Sequence, residues 1–237
     1  MYETIDKLIE ICKHHIISSD IGVVISEPYI PYFPNDWNGI LVLAEAQNLS
    51  KSNSAYVNKL KNLSSDERIK RLNRSNGVGD IGVAPWDDAS LKLAVESAFA
   101  AKSENTAVSN AVLWSQVTTT ENNTNPSNEL IERSIKLWIE LIPCIKLDHV
   151  ITAGSIAQQV ITRTKQAVSG SWKHTSFRLP ARTAMSRVSG LFRDTDLLKR
   201  YPEVASVLEK HPEWIQGKYR QNKIFFACHA VSVVNSN

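Results

Sequence analysis

Three kinds of side chain stand in this sequence where they can do chemistry. Glu45 follows the apolar run Ile40-Leu41-Val42-Leu43-Ala44, so a carboxylate stands where a buried strand gives out. Asn110 directly precedes a second run, Ala111-Val112-Leu113-Trp114, and brings an amide able both to donate and to accept. His174 lies between Arg163 and Arg200, where nine basic residues face only Asp194 and Asp196. That stretch carries +7, and a chain total of +3 leaves −4 for the rest. A basic surface on a mildly acidic body suits a face that meets a polyanion, although a solvated helix face accounts for the same charges. His14 and His15, near Cys12, read as a helix-surface pair, because one cysteine without Cys-x-x-Cys spacing makes a poor metal site. No Gly-x4-Gly-Lys-Ser/Thr or Gly-x-Gly-x-x-Gly sequence follows a strand, which leaves a nucleotide-binding enzyme unsupported.

Composition narrows the classes further. With 237 residues, 43% of them apolar, the chain has material for one sizeable core, which rules out a disordered tail protein. Nine glycines and nine prolines exclude a collagen-like or low-complexity chain, and no apolar stretch approaches the roughly 20 residues that span a bilayer. The first residues lack the basic patch and apolar run of a secretory signal, and Cys12, Cys144 and Cys228 cannot pair fully. These features lead us to expect a soluble, cytoplasmic protein of a single domain, with neither cofactor nor membrane partner and monomeric.

The elements that must carry these residues alternate. Ile5, Leu8, Ile9, Cys12 and Ile16 recur at helical spacing and predict an amphipathic helix over 2–18. After a Pro-rich crossing, 29–34, comes a strand over 40–44, then helical material over about 53–74 and a turn at Gly77-Val78-Gly79. A helix over about 89–102 feeds a strand at 111–114. Asn125-Pro126 is an N-cap candidate with Pro at the first helical position, and the next helix has an apolar face of Leu130, Ile131, Ile135, Trp138, Ile139 and Ile142. A third strand, 149–153, turns at Gly154 into a helix over 155–165, and the apolar end, 223–231, can form one further strand. The alternation predicts an α/β fold, a three-layer α/β/α arrangement with a central, mostly parallel sheet. Such sheets place ligands at the carboxyl ends of their strands, here just after Ala44, Trp114 and Ala153.

Four stretches, in order, resemble the uracil-DNA glycosylase superfamily, most of all its microbial members with an iron–sulfur cluster. Ala44-Glu45-Ala46-Gln47-Asn48 is similar to that class's Gly-Glu-Ala-Pro-Gly, matching at Glu45 and Ala46. Asn110 to Trp114, a polar loop, and Pro126-Ser127-Asn128-Glu129 resemble the family's strand-borne Asn, loop and Pro-x-x-Glu helix start. His149 to Ala157 is similar to its strand, Gly and Ala-containing helix, and Lys173-His174-Thr175-Ser176 resembles its His-Pro-Ser motif on a DNA-facing loop. The resemblance covers roughly residues 38 to 180 and implies a uracil-DNA glycosylase-like fold.

It also implies roles. Breaking a glycosidic bond passes through an oxocarbenium-like sugar, which a carboxylate near the sugar stabilises while orienting water. Glu45 matches that carboxylate. The departing base gains negative charge on the oxygen its ring carries, and His174 matches the family's donor to it. Asn110 matches the amide that reads a flipped base, with Gln47 and Asn48 beside it; Tyr56, or one of Tyr32, Phe33 and Trp37, stacks on the base. Lys173, Ser176, Arg178, Arg182 and Arg187 hold the DNA backbone, and Phe177 or Leu179 wedges into the space the nucleotide leaves. Plainer readings stand beside these: Glu45 caps a helix or pairs with an arginine, His174 is an exposed loop histidine, Asn110 ties strands together, and the aromatics and Phe177 and Leu179 pack in the core.

The departures shape the expectation. Three cysteines cannot supply the four-cysteine site, so no iron–sulfur centre is expected. Ala44, Gln47 and Asn48 replace Gly, Pro and Gly of the first motif, and Thr175 replaces the Pro of the last. In other uracil glycosylases the first motif reads Gly-Gln-Asp-Pro-Tyr. Ala46 falls at its water-activating Asp, and Asn48 at the Tyr that walls off C5 substituents. These changes point to a pyrimidine larger and more polar than uracil, such as a hydroxymethylated or glucosylated cytosine of phage DNA, and hence to defence against phage. Uracil repair, and a non-catalytic DNA-binding member of the fold, are the alternatives. Apart from Lys173, assigned to the DNA backbone, no lysine lies in the matched motifs to form a Schiff base, so strand cleavage is not expected.

Overall fold

The computed structural model describes residues 2–18, 22–49, 54–70, 89–117, 125–177, 196–216 and 220–236. Helix α1, Tyr2–Lys13, opens the chain. Strand β1, Ile40–Leu49, is followed by α2, Ser54–Lys61, α3, Ser65–Lys70, and α4, Ser90–Phe99. Strand β2, Ala107–Val117, leads through α5, Asn128–Leu141, to β3, His149–Ala153, and through α6, Ser155–Ala167, to β4, Lys173–Phe177. Then come α7, Leu197–Arg200, α8, Pro202–Lys210, and α9, Arg220–Asn235.

The four strands form one parallel sheet in the order β2-β1-β3-β4, so the three-layer α/β/α arrangement expected from the alternation is what the chain adopts. Strand alternation divides the core in two. Leu41 and Leu43 of β1, Ala111 and Leu113 of β2 and Val150 of β3 pack under α1, α5 and α6, with Leu8, Trp138 and Val160. Val42 and Ile151 point the other way, toward α4, α8 and α9, with Leu91, Val204 and Phe226. Both faces are covered, which is why the strands read as continuous apolar runs.

The outer edge of β2 is closed by the Pro-rich crossing. Val23 and Tyr32 bridge antiparallel to Gln116 and Val108, and Tyr29 N donates to Leu113 O at 2.9 Å. This backbone pairing removes an open edge that would otherwise invite association.

Several elements differ from the expectations. The first helix ends at Lys13 rather than 18. Helical material over 53–74 resolves into α2 and α3; 71–74 and the turn at 77–79 lie outside the described residues. β1 continues five residues past Ala44, because β2, itself longer than 111–114, keeps pairing with it out to Leu49 and Val117. Ser127, not Asn125, caps α5, its hydroxyl accepting from Leu130 N at 3.2 Å. The apolar end, 223–231, is helix α9 and not a strand: it packs on α4, and Phe226, Ala227, Ala230 and Val231 are buried at helical spacing. Lys173 to Ser176 is not a loop but most of β4, hydrogen-bonded in register with β3.

Candidate functional site

β1 and β3 are neighbours whose connections run toward opposite edges of the sheet, β1 to β2 and β3 to β4. The helix that returns the chain from β1 to β2, α4, packs on one face, whereas α6, which follows β3, packs on the other. Where adjacent parallel strands part in this way, their carboxyl ends flank a crevice. Glu45 stands at that crevice. It is half-buried on β1, pointing to the α6 side, and its Oε1 accepts Ile156 N at 3.0 Å and the Ser155 hydroxyl at 3.4 Å. Among the described residues Oε2 has no partner, so one carboxylate oxygen is anchored to the start of α6 and the other is open.

Gly154 makes the approach possible. Its φ of +106° is a left-handed conformation, and a Cβ there would lie 2.4 Å from Glu45 Oε1. Any other residue would push the carboxylate off the start of α6.

Two residues further along β1, and on the same face as Glu45, Gln47 accepts the Ser115 hydroxyl at 2.6 Å on Oε1. Next to it Asn48 Oδ1 takes a long hydrogen bond, 3.5 Å, from Gln116 Nε2. The register slips here: Ala46 pairs with Val112 but Asn48 with Gln116, so β2 carries a bulge opposite Gln47. Ser115 and Gln116 are both 5% exposed. Neither was singled out from the sequence. Their signal was a polar Ser-Gln pair ending an apolar strand, at the level where the site was expected.

The remaining expected site residues lie elsewhere. Asn110 pairs with Ala44, whose side chain points away from Glu45's face, and it is 3% exposed. Its Nδ2 donates to the Tyr29 hydroxyl at 2.9 Å, and that hydroxyl donates to Val112 O at 3.3 Å, so the amide ties the crossing to β2. Tyr56 is buried with Leu49 and Leu60 in a small cluster. Phe33 and Trp37 pack edge to face, 5.0 Å between centroids, and line a cavity of about 660 Å³ with Asn38, Gly39, Cys144 and Asp148. Gly39 and Asp148 precede β1 and β3, so this cavity opens at the amino ends of the strands. Tyr32 bridges to Val108 at the start of β2. Phe177 is a core residue, 3% exposed and packed near Phe99 and Phe226.

His174 is not beside Glu45. It pairs with Val150, while Glu45 extends the register to the level of Gly154. Four residues separate these levels, about 13 Å along the strands, and two strand spacings, about 10 Å, separate them across the sheet. His174 Nε2 lies 2.9 Å from Thr152 Oγ1. Burial first, then Lys165 and His149, push the imidazole down to about 4, so it is neutral at pH 7. Lys173 is exposed at the amino end of β4 and Ser176 is half-buried on it. β4 leaves the sheet beside the crevice, where Gly154 N donates to Phe177 O at 3.0 Å. Arg178, Leu179, Arg182 and Arg187 lie outside the described residues.

Among the described residues no group of three His, Cys, Asp or Glu side chains converges as a metal site. Cys12 and Cys228 are buried on opposite faces of the sheet, and His15 Nε2 meets Glu140 at 2.9 Å. No described helix is long and apolar enough to cross a membrane. No family model matches the chain, and comparison with the curated proteins found no match.

Proposed function

We propose that this chain is a monofunctional DNA glycosylase, cytoplasmic and monomeric, that flips a modified pyrimidine from DNA and hydrolyses its glycosidic bond. The observation that carries the reading is the Glu45 carboxylate at the strand-end crevice, one oxygen held by Ile156 N–H and the Ser155 hydroxyl and the other without a partner among the described residues. A carboxylate held this way can accept a hydrogen from water and face the developing positive charge of the sugar. The C1′–N bond breaks with both electrons leaving on the base, and the water oxygen joins C1′. One water proton is released and one proton ends on the base, giving an abasic sugar and a free base.

The polar residues that follow Glu45 support a substrate more polar than uracil, a hydroxymethylated or glucosylated cytosine of phage DNA, and with it a role in antiphage defence. Gln47 and Asn48 replace apolar or small motif residues and lie with Ser115 and Gln116 at the same end of the sheet. The test is mass spectrometry of bases freed from uracil-containing, unmodified, hydroxymethylcytosine-containing and glucosylated DNA. Release of the glucosylated or hydroxymethylated base supports the full reading, and release of uracil alone supports repair. The distance of His174 from Glu45 favours a second reading, a DNA-binding module without turnover. Salt-sensitive DNA binding with no base released from any of the four DNAs supports that one.

A further inference from the structure

We infer that Gln47 supplies the hydrogen-bond donor to the departing base, and that Ser115 is the positioning residue that aims it. The inference rests on the glycosylase reading and names a group of that same site. A base that leaves with both bonding electrons needs a donor at its carbonyl oxygen, and His174 is too far from Glu45 to provide it. Gln47 shares Glu45's face of β1, two residues further toward the strand end. A carboxamide has two ends, and a neighbour decides which one faces a ligand. Here the Ser115 hydroxyl donates to Oε1 at 2.6 Å, which leaves the NH2 group as the uncommitted end. Among the described residues nothing accepts from that NH2.

Ser115 is itself fixed. It is 5% exposed, and its carbonyl accepts Val24 N at 2.8 Å from the segment that closes the edge of β2. The bulge opposite Gln47 is what turns Ser115 to this position, since β2 fits four residues, 113–116, where β1 advances by two. Among the described residues the crevice therefore offers an uncommitted acceptor, Glu45 Oε2, and a donor whose amide is held at its other end, Gln47 Nε2, two residues apart on β1. Their ligand has positive charge developing at one atom and an oxygen acceptor gaining negative charge nearby, which describes a pyrimidine nucleotide at the point of base loss.

A donor that strengthens as charge develops acts on kcat rather than KM. The experiment measures both, on duplexes carrying uracil, 5-hydroxymethylcytosine or its glucosylated form, for the wild type, Ser115→Ala, Ser115→Thr and Gln47→Leu. On whichever base the wild type releases, Ser115→Ala and Gln47→Leu should each lower kcat about tenfold with KM unchanged, and Ser115→Thr, which keeps the hydroxyl, should restore it. Unchanged kcat in Ser115→Ala, or equal loss in the Ala and Thr variants, overturns the inference. A second measurement needs no turnover. The side-chain amide resonances of Gln47, identified by their loss in Gln47→Leu, should move in ligand-free Ser115→Ala. If they stay in place, Ser115 does not hold the amide and the inference is wrong. If the wild type releases no base, the glycosylase reading fails and the inference fails with it; the resonances then report only whether Ser115 holds the amide.

Discussion

Glu45 and Gly154 touch across the gap between β1 and β3, with the glycine's missing side chain occupied by the carboxylate. The contact lets the carboxylate reach the start of α6. A methyl group at 154 has to displace Glu45 and also sit at a φ of +106°. Gly154→Ala is expected to destabilise the fold by about 1 to 3 kcal/mol and to remove base release along with it. Thermal unfolding read beside activity checks this, and an active Gly154→Ala would show that the anchored position of Glu45 is dispensable.

His174 offers a test with the opposite sign. Because it lies far from Glu45, His174→Gln should keep base release within a few-fold of the wild type. Its effect belongs to stability. The folded ring is held at about 4, below the ordinary 6.5, so between those values the unfolded chain binds a proton that the folded chain does not. The penalty is absent above pH 6.5 and grows as pH falls toward 4. After discounting for the exposed part of the ring, it amounts to about 2 kcal/mol. Chemical denaturation of the two proteins from pH 7 to 4 should show the wild type losing more stability than His174→Gln.

Ala100 closes α4 with a φ of 50°, in the left-handed region that favours glycine. Ala100→Gly should raise stability by about 0.5 to 1 kcal/mol, far from the crevice and without effect on DNA binding. A lower melting temperature would mean that the alanine methyl makes a contact worth more than the strain.

The basic stretch predicts how binding responds to salt. If Lys173, exposed at the start of β4, touches a phosphate, Lys173→Gln should reduce the slope of log affinity against log salt by about one unit. An unchanged slope assigns the phosphate contacts to other residues.

Much of the fold was legible because buried parallel strands announce themselves. Ile40 to Ala44, Ala111 to Trp114 and His149 to Ala153 are apolar, and each is followed by helical periodicity. What the sequence concealed was polar strand. Glu45, Gln47 and Asn48 look like a loop, yet they pair with β2, and Lys173 to Ser176 carries no apolar run although β3 holds it in register. The run from Ile224 to Val231 fits a strand or a buried helix equally well, and packing against α4 decided for helix. At the site, the place of Glu45 after the first strand was readable, because parallel sheets put ligands at their carboxyl ends. Ser115 was not readable, since only the bulge in β2 brings it to Gln47.

The central claim is that Glu45 acts on a glycosidic bond. The most direct measurement is mass spectrometry of the bases freed from the four DNAs by the wild type and by Glu45→Gln, with DNA affinity measured on both. The account predicts that the wild type releases a base, that the variant is about 10²- to 10⁴-fold slower, and that affinity is retained. No released base from any DNA, or equal release by both proteins, would contradict it.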